Sequence, residues 1–413
     1  MSSHITTVTI IGAGQAGLAM SRCLTERSID HIVLERGETA NSWRTERWDS
    51  LRLLTPNWMT RLPHHRYDGD DPDGYMTAAE VVAFLDRYGR DAPVRTHSKV
   101  ESVTSNANGF RTVTTTGVLD SSAVVVASGA CSTPRVPQIA SALPRRIQQI
   151  TPIEYRTPGS ITDGRVLVVG ASASGIQIAD ELRRNGREVV VAVGDHVRLP
   201  RTYRGMDIHW WMDTIGLLDE RYDEVEDIVR ARRLPSLQLV GTPEHRTLDL
   251  NALHVSGVQL VGRLAGVAGP VAQFSGTFAN FCASADLKLG RLLDTIDVYA
   301  AEHGLDTELG PPERFARTTV PIADTTIDLA SIDAVVWATG FRSNLPWLEP
   351  DLLDRKGAIR HDGGVMTRPG MYALGLPFLR RRKSSFLDGV GPDAEELAVH
   401  LAHHLDAVAA PTR

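Results

Sequence analysis

Two glycine-rich turns, each following a β-branched run and opening an apolar-periodic helix, predict an α/β fold of two nested Rossmann-like dinucleotide-binding domains. The first turn is Gly12-Ala13-Gly14-Gln15-Ala16-Gly17, and the second, Gly170-Ala171-Ser172-Ala173-Ser174-Gly175, begins 158 residues later. The third observation is Glu35, 18 residues past Gly17, where the second strand should end. A carboxylate at that tip can accept bonds from ribose hydroxyls. With 413 residues, the chain is long enough for two or three cores at roughly 100–200 residues per domain.

In chain order, residues 8–11 form a β-branched run that reads as a strand. Gly12 permits the tight turn, Gly14 lets backbone approach a pyrophosphate, and Gly17 brings the helix close to the strand. Leu18, Met20, Cys23 and Leu24 recur at helical spacing, and that helix points free N–H groups and a positive dipole end at the phosphates. Residues 32–34 are the next strand. The stretch 41–74 is irregular, and a helix follows over 77–88 with Thr77 as its N-cap. Runs at 99–103, 110–115 and 123–126 read as strands, the last ending in Ala127-Ser128-Gly129.

Pro134, Pro137, Pro144, Pro152 and Pro158 mark a linker, after which the opening theme repeats. Residues 165–169 are a strand, 176–184 a helix and 188–193 a strand. Residues 197–290 give no assignment beyond Trp210-Trp211 and glycine-rich stretches. A strand over 334–337 ends in Ala338-Thr339-Gly340, and a helix over 394–408 closes the chain. The two small-residue triplets predict where the chain crosses between domains beside its nucleotides. The expected division is a first domain of 1–155 plus 331–413, with 156–330 inserted as the second.

The second turn has Ser172 where the first has its middle glycine, and its hydroxyl and that of Ser174 add donors. Arg198 and Arg201, beyond the following strand, are candidates for a 2′-phosphate, against the alternative of a solvated cluster. Asp195 nearby argues for an unphosphorylated ribose, so NADH stays open beside NADPH. A net charge of −6 gives no footprint for nucleic acid, and no apolar run reaches the ~20 residues of a membrane span. Cys23, Cys131 and Cys282 lie far apart and form neither a dithiol motif nor a zinc site. His64-His65 and His403-His404 lack further ligands at metal spacing, so no metal is expected. The expected location is the cytoplasm.

GAGQAG with Glu35, Ser42-Trp43-Arg44, the segment from Leu51 through Leu53 to Thr55-Pro56, GASASG, and Trp337-Ala338-Thr339-Gly340-Phe341 resemble group B flavoprotein monooxygenases, nearest the flavin-containing monooxygenase branch. The resemblance implies FAD on the first domain and NADPH on the inserted one. It implies oxygen transfer from O2 to a small organic substrate through a C4a-(hydro)peroxyflavin. Cofactor contacts then fall to Gly12, Gly14, Gln15, Gly17, Glu35, Arg36, Trp43, Arg44, Val100, Ala127 and Gly129. On the nicotinamide side they fall to Gly170, Ser172, Ser174, Gly175, Arg198, Arg201, Thr339 and Gly340.

The chain departs from the family at its fingerprint, F-x-G-x-x-x-H-x-x-x-Y/W. Anchored on Tyr155, the fingerprint meets Arg145, Ile147 and Thr151 in place of Phe, Gly and His. The family's flavin-side Asn is Pro56 here, which makes Thr55 and the adjacent Asn57 the catalytic candidates. The glycine pair before the Trp is Ala40-Asn41. Competing readings are an NAD(P)H oxidase or reductase that does not oxygenate, and a redox-silent flavin-binding protein. Homodimerisation is left open.

Overall fold

The computed structural model describes residues 4–319 and 324–410. Its centre is β1 (His4–Ile11), flanked by two parallel strands, β2 (His31–Leu34) and β6 (Gly117–Val126). Val8, Ile10, Val33 and Val125 have no exposure, as expected of a parallel sheet covered on both faces. The register pairs Ile11 with Leu34 and Ile11 with Val126. Gly12, Glu35 and Ala127 therefore leave the sheet side by side, at the carboxyl edge where such sheets bind ligands. Beyond β2 lies β3 (Val94–Arg95). The antiparallel pair β4 (Val100–Asn106) and β5 (Gly109–Thr114) hangs on β6. On the other flank β12 (Met371–Ala373) runs parallel to β6 and continues into the hairpin His361–Asp362 and Val365–Met366.

Helix α1 (Gln15–Glu26) buries Leu18, Met20, Cys23 and Leu24, the residues its periodicity nominated. Helix α2 (Ala78–Tyr88) starts at Thr77, whose hydroxyl accepts the Glu80 N–H while Glu80 accepts the Thr77 N–H. The last helix, α5 (Leu387–Ala409), packs on α1 and starts seven residues earlier than its periodicity suggests. Pro392 lies inside it, and the apolar pattern becomes regular only beyond that proline.

The second sheet is fully parallel, in the order β7 (Gln148–Ile150), β11 (Ala334–Trp337), β8 (Val166–Val169), β9 (Val189–Ala192) and β10 (Gln259–Val261). This corrects the domain limits read from sequence. β7 and β11 fall within 1–155 and 331–413, yet both belong to the inserted domain's sheet. β11 fills the slot beside β8, pairing Val166 with Ala334 and Val169 with Trp337. The crossings therefore lie at 127–147 and 338–341. There Thr133–Pro134 and Phe341–Arg342 pair antiparallel, so the outgoing and returning chains brace each other. α3 (Ala173–Arg184) follows the second turn. α4 (Phe278–Glu302) was missed by the sequence reading. Its buried positions Phe278, Cys282, Ala285, Leu289, Leu293, Ile296 and Ala300 follow a helical period. No helix among the described residues is long and apolar enough to cross a membrane.

Candidate active site

The two turns have the same construction. Gly12 has φ +109° and a Cβ there would meet the Ala127 carbonyl oxygen at 2.5 Å; Gly170 has φ +114° and would meet the Ala338 oxygen at 2.3 Å. Each crossing triplet thus packs on one glycine turn. Above the first turn, a Cβ on Gly14 would meet no protein atom within 4 Å. No acidic residue stands in the first turn of α1, and no side chain caps it, so its leading N–H groups point outward. Glu35 is buried and accepts the Ala13 N–H at 2.8 Å and the Gly37 N–H at 3.2 Å, which fixes a carboxylate beside the turn. This is a fit for a pyrophosphate and a ribose. At the second turn Ser172 is the N-cap of α3 without capping it through its hydroxyl, and Ser172 and Ser174 are both half-buried.

Other candidates take up supporting positions. Trp43 donates its indole N–H to Gln15 Oε1 at 3.3 Å, bracing the start of α1. Arg36 pairs with Glu46, and Arg44 pairs with Asp86 and the Thr39 carbonyl. Val100 is buried at the start of β4. Gly129 and Gly340 adopt φ of +77° and +84°, with open space at Cβ, and Thr339 bonds the Arg135 carbonyl.

Three of the candidates are engaged elsewhere. Arg198 and Arg201, the candidates for a 2′-phosphate, are not solvated: both are buried and bonded to partners within the protein. Arg198 is 6% exposed and reaches Asp249 at 2.8 Å, Asp286 at 2.7 Å and the Ala316 carbonyl at 2.8 Å. Arg201 is fully buried, donating to the Leu54 carbonyl at 2.8 Å, Asp207 at 2.6 Å and His209 Nδ1 at 2.8 Å. Asn57 is bonded on both sides of its amide. Its Nδ2 donates to the Asp71 carbonyl at 2.9 Å and its Oδ1 accepts the Met76 N–H at 2.8 Å, closing the loop 57–76. Thr55 remains half-buried at the head of that loop.

The surroundings of Arg201 form a polar cluster that joins the domains. Tyr75 donates to Asp207 Oδ2 at 2.7 Å, its oxygen lies 3.1 Å from His245 Nδ1, and the Arg201 guanidinium covers its ring at 5.0 Å. Burial opposes ionisation of Asp207, but bonding from His209 and the Arg201 charge outweigh it and hold this carboxyl well below its usual range. Burial pushes the Tyr75 hydroxyl up and the His209 imidazolium down, so both stay neutral. Tyr155, the surviving fingerprint aromatic, is buried against Trp48 and donates to Glu181 on α3 at 2.7 Å. Thr151, in the fingerprint His position, bonds Glu154 through both its N–H and hydroxyl at 2.8 Å.

Known proteins share this build. A family model described as pyridine nucleotide-disulphide oxidoreductase matches residues 9–206. An uncharacterized CzcO-like oxidoreductase of Geobacillus kaustophilus is 30% identical over 406 residues, covering 97% of this chain and 99% of that protein. The indole-3-pyruvate monooxygenase YUCCA6 of Arabidopsis thaliana is 28% identical over 422 residues, with 95% and 89% covered. The flavin-containing monooxygenase from Stenotrophomonas maltophilia, 20% identical, matches in fold with a TM-score of 0.68 over 97% of this chain and 99% of its own. Two matched turns, their crossing triplets and a full-length relative at this identity lead to one assignment: the chain belongs to the CzcO-like oxidoreductases, a family similar along its length to flavin-dependent monooxygenases.

Proposed function

We propose that this protein uses FAD at the first turn and NADPH at the second to place one oxygen atom of O2 into a small organic substrate. The observation that carries this reading is two matched dinucleotide turns in one chain without a dithiol between them. All three cysteines are free, and Cys23 and Cys282 are buried in different cores. Electrons taken from a nicotinamide therefore have no disulfide relay to enter, and their acceptor has to be diffusible. FAD supplies the oxygen-activating chemistry and NADPH the hydride. The protein's part is to hold the two nucleotides on facing turns and keep water from the cleft.

Preference for NADPH is assigned to Arg263. It lies just beyond β10, is exposed, and its Cγ and Cδ stand 4.0 Å from a Cβ built on Gly194, beyond the tip of β9. Asp195, which argued for NADH, has Lys288 at 3.6 Å to offset its charge.

A second reading, oxidase without oxygenation, is favoured by one observation. One N–H of the Asn57 amide and the hydroxyl of Thr151 are both tied into their own loops, which leaves fewer donors to steady oxygen at the flavin. Turnover with NADPH under labelled oxygen separates the two. One labelled atom in an amine, sulfide or ketone product supports oxygenation. Hydrogen peroxide equal to the NADPH consumed, with all three substrate types present, leaves only the oxidase. No NADPH consumption would leave a redox-silent flavoprotein.

A further inference from the structure

We infer that the strap 237–247 of the inserted domain is a positioning element that couples the nicotinamide turn to the flavin-side loop 51–57. This inference rests on the proposed placement of the nicotinamide cofactor at the second turn. One end of the strap grips that turn. Gln238 is fully buried and donates its amide to the Ala171 carbonyl at 2.6 Å, while Gln177 of α3 donates to the Leu239 carbonyl at 2.8 Å. The middle of the strap touches the other domain. A Cβ on Gly241 would lie 2.1 Å from the Leu53 carbonyl oxygen and 2.7 Å from Tyr75 Cβ. Gly241 does not have a left-handed backbone, so it is the close approach of Leu53 that excludes a side chain there. The far end bonds Arg201, whose N–H is accepted by Thr247 at 2.9 Å and whose guanidinium holds the Leu54 carbonyl.

The peptide just before Thr55 is thus fixed by two independent contacts from the opposite domain, and the same segment is hydrogen-bonded to the second glycine turn. Packed elements of this kind shift together or not at all, because close-packed interiors do not deform continuously. A nucleotide that settles the second turn therefore also settles Leu53 and Leu54. Gln238 and Gly241 act through these contacts as positioning residues.

Hydrogen exchange on the FAD-loaded protein, with and without NADP+, tests this. In the parent, NADP+ should slow exchange at 170–176 and also at 51–57, the latter by about fivefold or more, the lower end of coupling between linked sites. In Gln238→Met and Gly241→Ala, protection at 170–176 should persist while that at 51–57 disappears. Anaerobic flavin reduction by NADPH should slow by about tenfold, as expected for misplaced reactants, with NADP+ affinity little changed. Gln238→Met removes a single bond and keeps the test open if Gly241→Ala does not fold. Parent-like protection of 51–57 in both variants overturns the inference alone, as does a parent in which only 170–176 is protected. A parent with no protection at 170–176 removes the nicotinamide from this turn, and the inference falls with that placement.

Discussion

Gly17 lies directly against Gly12: a Cβ at 17 would sit 1.8 Å from the Gly12 carbonyl oxygen, and Gly175 repeats the approach to Gly170 at 2.0 Å. Gly14, between them in sequence, meets no protein atom within 4 Å. One turn therefore holds two kinds of glycine. Gly17 is required by the fold, whereas no protein atom crowds a side chain at Gly14.

Gly14→Leu should accordingly cost the stripped apoprotein no more than about 1 kcal/mol, the effect of a poorer N-cap on α1. It should also yield colourless protein, because the side chain occupies the approach to the pyrophosphate. Gly17→Ala should lower the stability of the apoprotein itself. Flavin absorbance per chain and denaturant titration of stripped protein read the two effects separately. Full flavin absorbance in Gly14→Leu would remove this turn from the flavin site.

The turns were legible in sequence because their causes are local, with strand, glycines and helix lying within 20 residues. What failed to show was pairing over distance. Arg198 reads as a candidate for a 2′-phosphate because the carboxylates that hold it, Asp249 and Asp286, lie 51 and 88 residues away. The strand Ala334–Trp337 could have joined either sheet, and only its register with Val166–Val169 assigns it to the second. The amide of Asn57 was out of reach of any motif, since its partners Asp71 and Met76 lie across an irregular loop. The helix Phe278–Glu302 is a different case, because the helical period of its buried positions is present in the sequence itself.

His361 predicts a pH effect on stability. Burial, with the Arg232 charge acting in the same direction against Asp362, lowers its pKa to about 4. The neutral ring also accepts the Gly364 N–H at 3.1 Å. The unfolded chain binds this proton from about pH 6.5 downward, whereas the folded chain waits until about pH 4. Its stabilising contribution is therefore complete above pH 6.5 and is lost progressively as the pH falls to 4. Between pH 7 and 4.5 the parent should lose roughly 2–3 kcal/mol more than His361→Gln in denaturant titrations. Parallel losses in the two proteins would contradict the assignment.

Tyr155→Phe isolates the remaining fingerprint aromatic. The ring stays against Trp48, and only the bond to Glu181 at 2.7 Å is removed. A bond to a charged partner contributes about 1.5–3 kcal/mol, so thermal unfolding should shift down by a corresponding amount. Flavin content and the rate of reduction by NADPH should be unchanged, because the bond braces α3 from behind. A selective loss of reduction rate at unchanged stability would instead give Tyr155 a place in the chemistry.

Arg198 and Arg263 should separate stability from cofactor choice. Arg198 bonds two carboxylates in an almost fully buried setting, and Arg198→Ala strands both. Breaking a buried pair in this way costs about 3–5 kcal/mol, so the variant should be markedly destabilised. In the fraction that folds, the ratio of kcat/KM for NADPH over NADH should stay as in the parent, since the guanidinium is taken up by Asp249, Asp286 and the Ala316 carbonyl. Arg263 is exposed, and Arg263→Ala should change stability by no more than about 0.5 kcal/mol. A guanidinium–phosphate contact is worth roughly 1.5–3 kcal/mol, so the same variant should lose about tenfold to a hundredfold of NADPH preference. Steady-state kinetics with both nucleotides, beside denaturant titrations, give the full comparison. If Arg263→Ala keeps the parent ratio while Arg198→Ala abolishes it, the 2′-phosphate is recognised through the buried network and the assignment to the tip of β9 is wrong.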